Sequence, residues 1–181
     1  MEKKGYIMNK KITLLASAAA LLFASNASAG WNKASYQCLK TKPAVFDGTI
    51  AEAAIATPEL STLVTALSAA NLVDAVNGDG NLTVFAPTNA AFENVPAPIL
   101  GEILGDTDVL SAVLLHHVVD GKFDARRSYF PKAKTSLVGQ KLFLSRTEGK
   151  PHVNQSEIAC QPVKTDNGTV WIIDSVLLPQ F

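Results

Sequence analysis

The stretch that decides the fold is 114-LLHHVVDGKFDA-125, in which two adjacent histidines lie inside an apolar run. The residues before the pair favour a helix, whereas Val118 and Val119 favour a strand. His116 and His117 therefore stand where a helix passes into a strand, and we expect one of the two rings to point inward. Because an unpaired buried polar group costs about 1–3 kcal/mol, that ring should have hydrogen-bond partners.

The spacing of the histidines does not favour a metal site. Neighbouring side chains diverge by about 100° on a helix and about 180° on a strand, so adjacent rings do not easily share one metal. A helical zinc pair needs a spacing of four residues. The residues at that distance from the two rings include no second histidine: Ala112, Asp120, Val113 and Gly121. His152 is the only other histidine, and the sequence predicts no metal ligand and no cofactor.

The usual arrangements of catalytic residues are also missing from the sequence. No GxSxG motif occurs, and the glycines at 77–80 lack the following helix and lysine of a phosphate-binding loop. The acidic cluster Glu102, Asp106 and Asp108 lies at a helix junction, where capping explains it. An enzyme is therefore disfavoured, and no catalytic residue is predicted.

The first 29 residues resemble a secretory signal peptide in charge, length and cleavage chemistry. Lys10 and Lys11 precede an apolar run at 12–24, and Ala27-Ser28-Ala29 offers small residues for cleavage. The alternative is a membrane anchor, but the run is shorter than the roughly 20 residues of a span. We expect a secreted or periplasmic protein that is not stably inserted in a membrane after cleavage. A polar N-terminal arm is predicted over 30–46 and one domain over 47–181.

The chain contains two cysteines, Cys38 and Cys160. In an oxidising compartment an even count favours a disulfide, which here would tie the region after the leader to the last quarter of the chain. Two free thiols or a metal-binding pair is the alternative.

Charge is balanced overall but segregated along the chain. Lys plus Arg and Asp plus Glu both number 16, so no global charge favours a nucleic acid partner. Residues 43–121 contain ten acidic and no basic residues, whereas residues 122–150 contain eight basic and two acidic residues. This pattern fits two solvated faces, a basic surface for an anionic partner, or an acidic-to-basic contact between copies.

The period of the apolar residues changes in the middle of the chain. Helical spacing over 49–76 is followed by a strand at 82–87 and by two helices at 96–105 and 107–117, the second capped by Thr107 or Asp108. The second half favours short strands, at 135–139, 141–146, 152–154, 157–163 and 169–178. Helices first and strands later predict a single α+β domain.

The chain resembles the fasciclin domain family in three blocks that occur in the same order. They are 81-NLTVFAPTNAAFENV-95, 114-LLHHVVDGKFDA-125 and 167-NGTVWIIDSVLLP-179. The resemblance covers about 47–179 and implies a wedge of short strands with helices packed around it. It also implies a structural core that includes His117, Phe85, Pro87, Phe92 and Asp174. His116 departs from the family, which usually has Tyr at this position.

The resemblance implies a secreted or surface-held adhesion module without enzymatic activity. Its partner would be a surface protein, a polysaccharide or another copy of itself. The candidate binding surface is the basic and aromatic segment after the histidines: Lys122, Arg126, Arg127, Tyr129, Phe130, Lys132 and Lys134. The alternative function is a carrier of a small hydrophobic ligand such as a carotenoid, because some fasciclin-like proteins hold one.

Overall fold

The computed structural model describes residues 32–78, 80–127 and 132–180. The predicted signal peptide, Tyr129 and Phe130 lie outside these residues. The helices are α1 (Lys33–Lys40), α2 (Ile50–Ile55), α3 (Ser61–Ala69), α4 (Val73–Asn77), α5 (Asn89–Glu93), α6 (Ala97–Gly105) and α7 (Thr107–His116). The strands are β1 (Ala44–Val45), β2 (Leu82–Pro87), β3 (Val118–Asp120), β4 (Lys132–Thr135), β5 (Lys141–Thr147), β6 (Lys150–Val153), β7 (Ser156–Glu157), β8 (Val163–Thr165) and β9 (Gly168–Ile173). The predicted α+β class is confirmed.

The strands form two sheets. The first sheet has the order β1-β8-β9-β2-β3, and its central pair, β2 and β9, runs parallel with Phe85 opposite Trp171. The second sheet has the order β4-β5-β6-β7 and is antiparallel throughout. Isolated bridges from Val119 to Ser136 and from Ile158 to Ile173 connect the two sheets.

The first sheet lies between the helices and the second sheet, so both of its faces are buried. On β2, Val84 and Ala86 belong to the cluster that includes the helices, whereas Phe85 belongs to the cluster that includes the second sheet. Val170 and Trp171 on β9 divide in the same way. Alternate residues of a strand face opposite sides, so one run of apolar residues serves two cores. Burying one Phe side chain fully contributes about 1.5–3 kcal/mol.

Side chains of the N-cap residues fix where several helices begin. The Thr49 hydroxyl accepts a hydrogen bond from Glu52 N, and the Glu52 carboxylate accepts one from Thr49 N, which starts α2. The Asp106 carboxylate accepts hydrogen bonds from the backbone N–H groups of Asp108 and Val109, which starts α7. The prediction that Thr107 or Asp108 caps this helix was wrong by one or two residues, since both side chains already lie within the first turn.

The predicted strand at 135–139 is largely a turn. Only Thr135 belongs to a strand, and Ser136 makes a single bridge to Val119. Ser136 N then donates to Gln140 O at 2.8 Å, and Gly139 has a φ of 83°, so the chain reverses into β5. Ser136 is buried but Leu137 is 46% exposed, so the apolar residues of this segment do not mark a paired strand.

The Asn167-Gly168 turn joins β8 to β9 and also holds the helices against the sheet. The buried Asn167 amide accepts a hydrogen bond from Ile50 N at 2.9 Å and donates one to Val76 O at 2.8 Å. A Cβ at position 168 would lie 2.3 Å from Leu82 O, so glycine is required there. This turn connects the starts of α2 and β2 with the end of α4.

The segment predicted as an N-terminal arm contains regular structure where it is described. Helix α1 packs near the second sheet, and β1 extends the first sheet by pairing in parallel with β8. Cys38 of α1 and Cys160 form a disulfide across 122 residues. In the chain-entropy picture, a loop of this length contributes about 4–5 kcal/mol, and native strain reduces that figure. Among the described residues, no helix has the length and apolar character needed to cross a membrane.

Candidate functional site

The ring of His117 is buried and forms hydrogen bonds with two backbone groups. Its Nδ1 lies 2.7 Å from Val113 O, and its Nε2 accepts a hydrogen bond from Leu177 N at 2.9 Å. A carbonyl can only accept, so Nδ1 carries the proton and the ring is neutral. Burial lowers the pKa of His117 to about 4, against a smaller opposing effect of the Val113 bond. The ring therefore ties α7 to the segment after β9.

His116 is equally buried but faces a different part of the molecule. Its Nδ1 lies 3.1 Å from the Ser136 hydroxyl, which itself donates to Gln140 O at 3.0 Å. Burial lowers the pKa of His116, which favours the neutral ring. The two histidines thus have separate partners, as their divergence predicts. In the described parts of the chain, no group of three or more His, Cys, Asp or Glu side chains is placed to hold a metal ion.

Arg126 was expected on an exposed binding surface, and the structure corrects this expectation. Its side chain is 8% exposed. One terminal nitrogen donates to three carbonyl oxygens, those of Cys38, Thr41 and Cys160, at 3.2, 2.7 and 3.2 Å. The guanidinium also forms two 2.9 Å hydrogen bonds with the Asp124 carboxylate. Arg126 therefore fastens α1 and both disulfide cysteines to the rest of the fold.

Asp124 is the counter-ion of this arrangement. Its burial alone would raise the pKa of the carboxyl, but hydrogen bonds to Arg126 and the charges of Arg126 and Arg127 outweigh it, so the pKa is lowered. Arg127 is different from its neighbour, because its side chain is 74% exposed and its Nε lies 3.6 Å from Asp124. An exposed pair of this kind contributes little, typically 0–1 kcal/mol. Arg127 remains available to a partner.

The exposed cations meet at an open pocket of about 510 Å³, which we name the basic pocket. Lys122, Arg127 and Lys164 are its exposed basic residues, and among the described residues of its lining Asp124 alone is acidic. The other walls come from Arg126 and from Pro43, Phe123, Pro162, Thr165, Gly168 and Thr169. The sequence offers no signal that Lys164 belongs to this site. Lys164 lies 42 residues after Lys122, and the pairing of β8 with β1 and β9 places it at the pocket.

Two further predicted binding residues, Lys132 and Lys134, are described and do not line the pocket. Lys132 is exposed on β4, and Lys134 holds its ammonium 4.7 Å from the centre of the Phe123 ring. Both belong to the strand that follows the undescribed residues 128–131.

The residues assigned to the structural core are buried with one exception. Phe85 and Phe92 are 0% and 6% exposed, and Pro87 is buried at the end of β2. Asp174 is exposed, so it is not a core residue. Its carboxylate accepts a hydrogen bond from Glu157 N at 2.9 Å and one from the Ser175 hydroxyl at 3.0 Å. Asp174 therefore stabilises the contact between β7 and the end of β9 from the surface.

Residues 58–179 match the model of the fasciclin domain, well over half of the chain. The chain therefore belongs to the fasciclin domain family, which confirms the resemblance seen in the three sequence blocks. Among its relatives, it is 41% identical over 135 residues to the cell surface glycolipoprotein MPB83 of Mycobacterium bovis, a match that covers 72% of this chain and 60% of that protein. It is 39% identical over 133 residues to protein sll1483 of Synechocystis, with 72% and 73% covered. The chain thus spans less than two thirds of MPB83.

A solved structure has the same fold. A FAS1 domain pair from the insect cell adhesion molecule Fasciclin I superposes with a TM-score of 0.61 at 15% identity, covering 73% of this chain and 51% of that one. At this level of identity the likeness concerns the fold alone.

Proposed function

We propose that this protein is a non-catalytic adhesion module that binds an acidic partner at the basic pocket. The observation that carries the proposal is that Lys122 and Arg127, from the segment after β3, meet Lys164 of β8 at one open pocket. Fasciclin domains commonly occur in cell-surface adhesion and binding proteins, and one relative is named a cell surface glycolipoprotein. The candidate partners are an acidic polysaccharide, an acidic protein surface or the acidic face of a second copy.

The charge balance of the pocket favours an anionic ligand. Arg126 and Asp124 neutralise each other at 2.9 Å, so the three exposed cations are left with no strong ion pair of their own. Lys122 Nζ makes only a long 3.5 Å contact with Asp166 O, and Arg127 makes only the 3.6 Å contact with Asp124. Like charges gathered at a concave surface raise the local potential and attract oppositely charged partners.

The test is binding to beads coated with polygalacturonate, an acidic polysaccharide, with uncharged dextran beads as the reference. We expect retention on the acidic beads that falls as salt rises, because salt screens exposed charges. The variant Arg127→Glu/Lys164→Glu should lose this retention. The matched control Lys33→Glu/Lys40→Glu reverses two exposed cations of α1 and should retain it. Equal loss in both variants, or equal binding to dextran, would reject the pocket as the site.

We also propose that the protein is exported. The leader predicted over 1–29 and the disulfide between Cys38 and Cys160 both support an oxidising compartment. Fractionation of the native host, with antibody detection, should recover the mature chain outside the cytoplasm and in the oxidised form. Recovery of a reduced cytoplasmic protein that keeps residues 1–29 would contradict export.

A second candidate function, the carriage of a small hydrophobic ligand, is favoured by an apolar groove. The groove has a volume of about 600 Å³ between α6, the start of α7 and the segment after β9. Its apolar lining consists of Ile99, Ile103, Val109, Leu178 and Pro179. Solvent extraction of protein purified from its host should yield a lipid or pigment, and Ile99→Glu should abolish the yield. Ile55→Glu, at a 64% exposed residue outside the groove, is the control. A ligand-free extract would reject this function.

A further inference from the structure

A second open pocket, of about 730 Å³, lies where α7 ends. Its lining comes from five places in the chain: His116, the turn before β5, β5 itself, the turn after β6, and the segment after β9. We name it the His116 pocket. It shares no lining residue with the basic pocket. Its volume is within the range of about 300–1,000 Å³ that is typical of small-ligand sites.

The ring of His116 presents a hydrogen-bond acceptor to this pocket. The Ser136 hydroxyl has one hydrogen, which it donates to Gln140 O at 3.0 Å, so toward His116 it can only accept. The neutral ring must then carry its proton on Nδ1, 3.1 Å from that hydroxyl. Nε2 is left with a lone pair and has no partner among the described residues. His116 is 2% exposed, yet it lines the pocket, so this lone pair belongs to a buried polar side chain at the pocket wall.

An exposed aromatic ring forms another wall. The neighbours of Phe143 on β5, Leu142 and Leu144, are 0% and 2% exposed and face the core. Phe143 points the other way and is 55% exposed. Its backbone is fixed by Asn154, whose side-chain oxygen accepts from Phe143 N at 2.9 Å and whose N–H donates to Phe143 O at 2.7 Å. The backbone that carries this ring is therefore fixed, and the ring lines the pocket.

Amide donors and acceptors surround the ring. The Asn154 side-chain oxygen is engaged, but its NH₂ group and the whole amide of the exposed Gln155 have no partner in the described residues. Gln140 is fixed in place, since its amide both donates to Gln180 O at 2.6 Å and accepts from Gln180 N at 2.8 Å. Lys141 adds further N–H donors, and none of the described residues that line the pocket carries a carboxylate.

We propose that the His116 pocket binds a neutral saccharide. A sugar ring has an apolar C–H face that fits against Phe143 and a rim of hydroxyl groups. One hydroxyl donates to Nε2 of His116, and others accept from the free amide groups of Asn154 and Gln155. A purely apolar ligand would leave Nε2 unpaired, and a simple anion has no hydrogen to donate to it. This site is separate from the basic pocket, so the two proposals stand or fall independently.

The probes are four neutral oligosaccharides: cellohexaose, laminarihexaose, maltohexaose and mannohexaose. Each is titrated into ¹⁵N-labelled protein at neutral pH while the side-chain ¹⁵N resonances of both histidines are followed. With at least one sugar, the Nε2 resonance of His116 should move upfield as it accepts a hydroxyl proton, whereas that of His117 stays fixed. No movement of His116 at millimolar concentrations of all four sugars would overturn the proposal.

Variants then test the wall that the sugar contacts. Phe143→Ala should weaken binding of the responding sugar at least tenfold in a calorimetric titration, and Gln155→Ala should weaken it severalfold. Tyr36→Ala is the matched control, since Tyr36 is an aromatic residue that is 53% exposed and lies outside the pocket. Unchanged affinity in Phe143→Ala, or an equal loss in Tyr36→Ala, would contradict the assignment. Arg127→Glu/Lys164→Glu should bind the sugar normally, which separates this result from the test of the basic pocket.

Discussion

His117 Nε2 accepts a hydrogen bond from Leu177 N at 2.9 Å, which joins the end of α7 to a residue 60 positions further along the chain. The same ring donates to Val113 O, so both of its nitrogens satisfy buried backbone groups. The bond to Leu177 closes the fold after β9, where the chain leaves the first sheet. A single imidazole thus determines how the helical layer and the C-terminal segment fit together.

His117→Ala should reduce the free energy of unfolding by about 3–5 kcal/mol. The substitution leaves a buried carbonyl and a buried N–H unpaired, at about 1–3 kcal/mol each, and opens a cavity. Urea unfolding at neutral pH, followed by circular dichroism, measures the change. His152→Ala is the control, because His152 is only half-buried and should cost less than about 0.5 kcal/mol. A His117→Ala protein as stable as the control would disprove the structural role of the ring.

Stability should fall when the pH is lowered from about 6.5 to about 4. The pKa of His117 is lowered from 6.5 to about 4 by folding, so between these values the unfolded chain binds a proton that the folded chain does not. The contribution is fully present above pH 6.5 and amounts to roughly 3 kcal/mol, which is lost by pH 4. Urea midpoints at a series of pH values test this. If the urea midpoint of the unmodified protein stayed constant between pH 7 and 4.5, the assignment of a buried neutral His117 would be contradicted.

Arg126→Glu and Arg127→Glu should change different properties: the first lowers stability and the second weakens binding. Arg126→Glu places a second carboxylate beside Asp124 and removes the donor that Arg126 gives to the carbonyl oxygens of Cys38, Thr41 and Cys160, so we expect a loss of about 3–5 kcal/mol or failure to fold. Arg127→Glu should change stability by less than about 0.5 kcal/mol and should weaken binding to polygalacturonate. Thermal unfolding and bead retention measure the two effects. Equal stability of the two variants would show that Arg126 has no special role.

Removing the disulfide should destabilise the protein by about 2–5 kcal/mol. We expect this loss in Cys38→Ser/Cys160→Ser, because the unfolded chain regains the freedom of a loop closed across 122 residues. The native protein treated with a reductant should show the same lowered urea midpoint. If reduction left the midpoint unchanged, the bridge would contribute nothing to stability.

Much of the scaffold could be predicted from local patterns. The apolar runs of β2 and β9, the helical spacing before them and the position of His117 at a helix-to-strand junction depend on residues close in sequence. Residues 137–139 form a turn although Leu137 and Val138 are typical of a strand, because Gly139 adopts a positive φ and the chain reverses there with Leu137 46% exposed.

The features that could not be predicted from the sequence depend on contacts between distant segments. A charged residue on a basic stretch is normally exposed, and Arg126 is buried only because carbonyls 85 to 88 residues earlier converge on it. Lys164 reaches the basic pocket through strand pairing, and the free nitrogen of His116 follows from a hydroxyl at Ser136. No periodicity encodes such relationships.

The central claim is that the two adjacent histidines form no shared metal site and that His117 serves the scaffold. The most direct measurement is a ¹⁵N titration of both imidazoles from pH 8 to 4, repeated with added Zn²⁺. The account predicts that His117 remains the neutral Nδ1–H tautomer down to about pH 4 and that zinc does not shift the two rings together. A His117 that protonates near its ordinary pKa in the folded protein, or resonances of both rings that shift together with zinc, would contradict it.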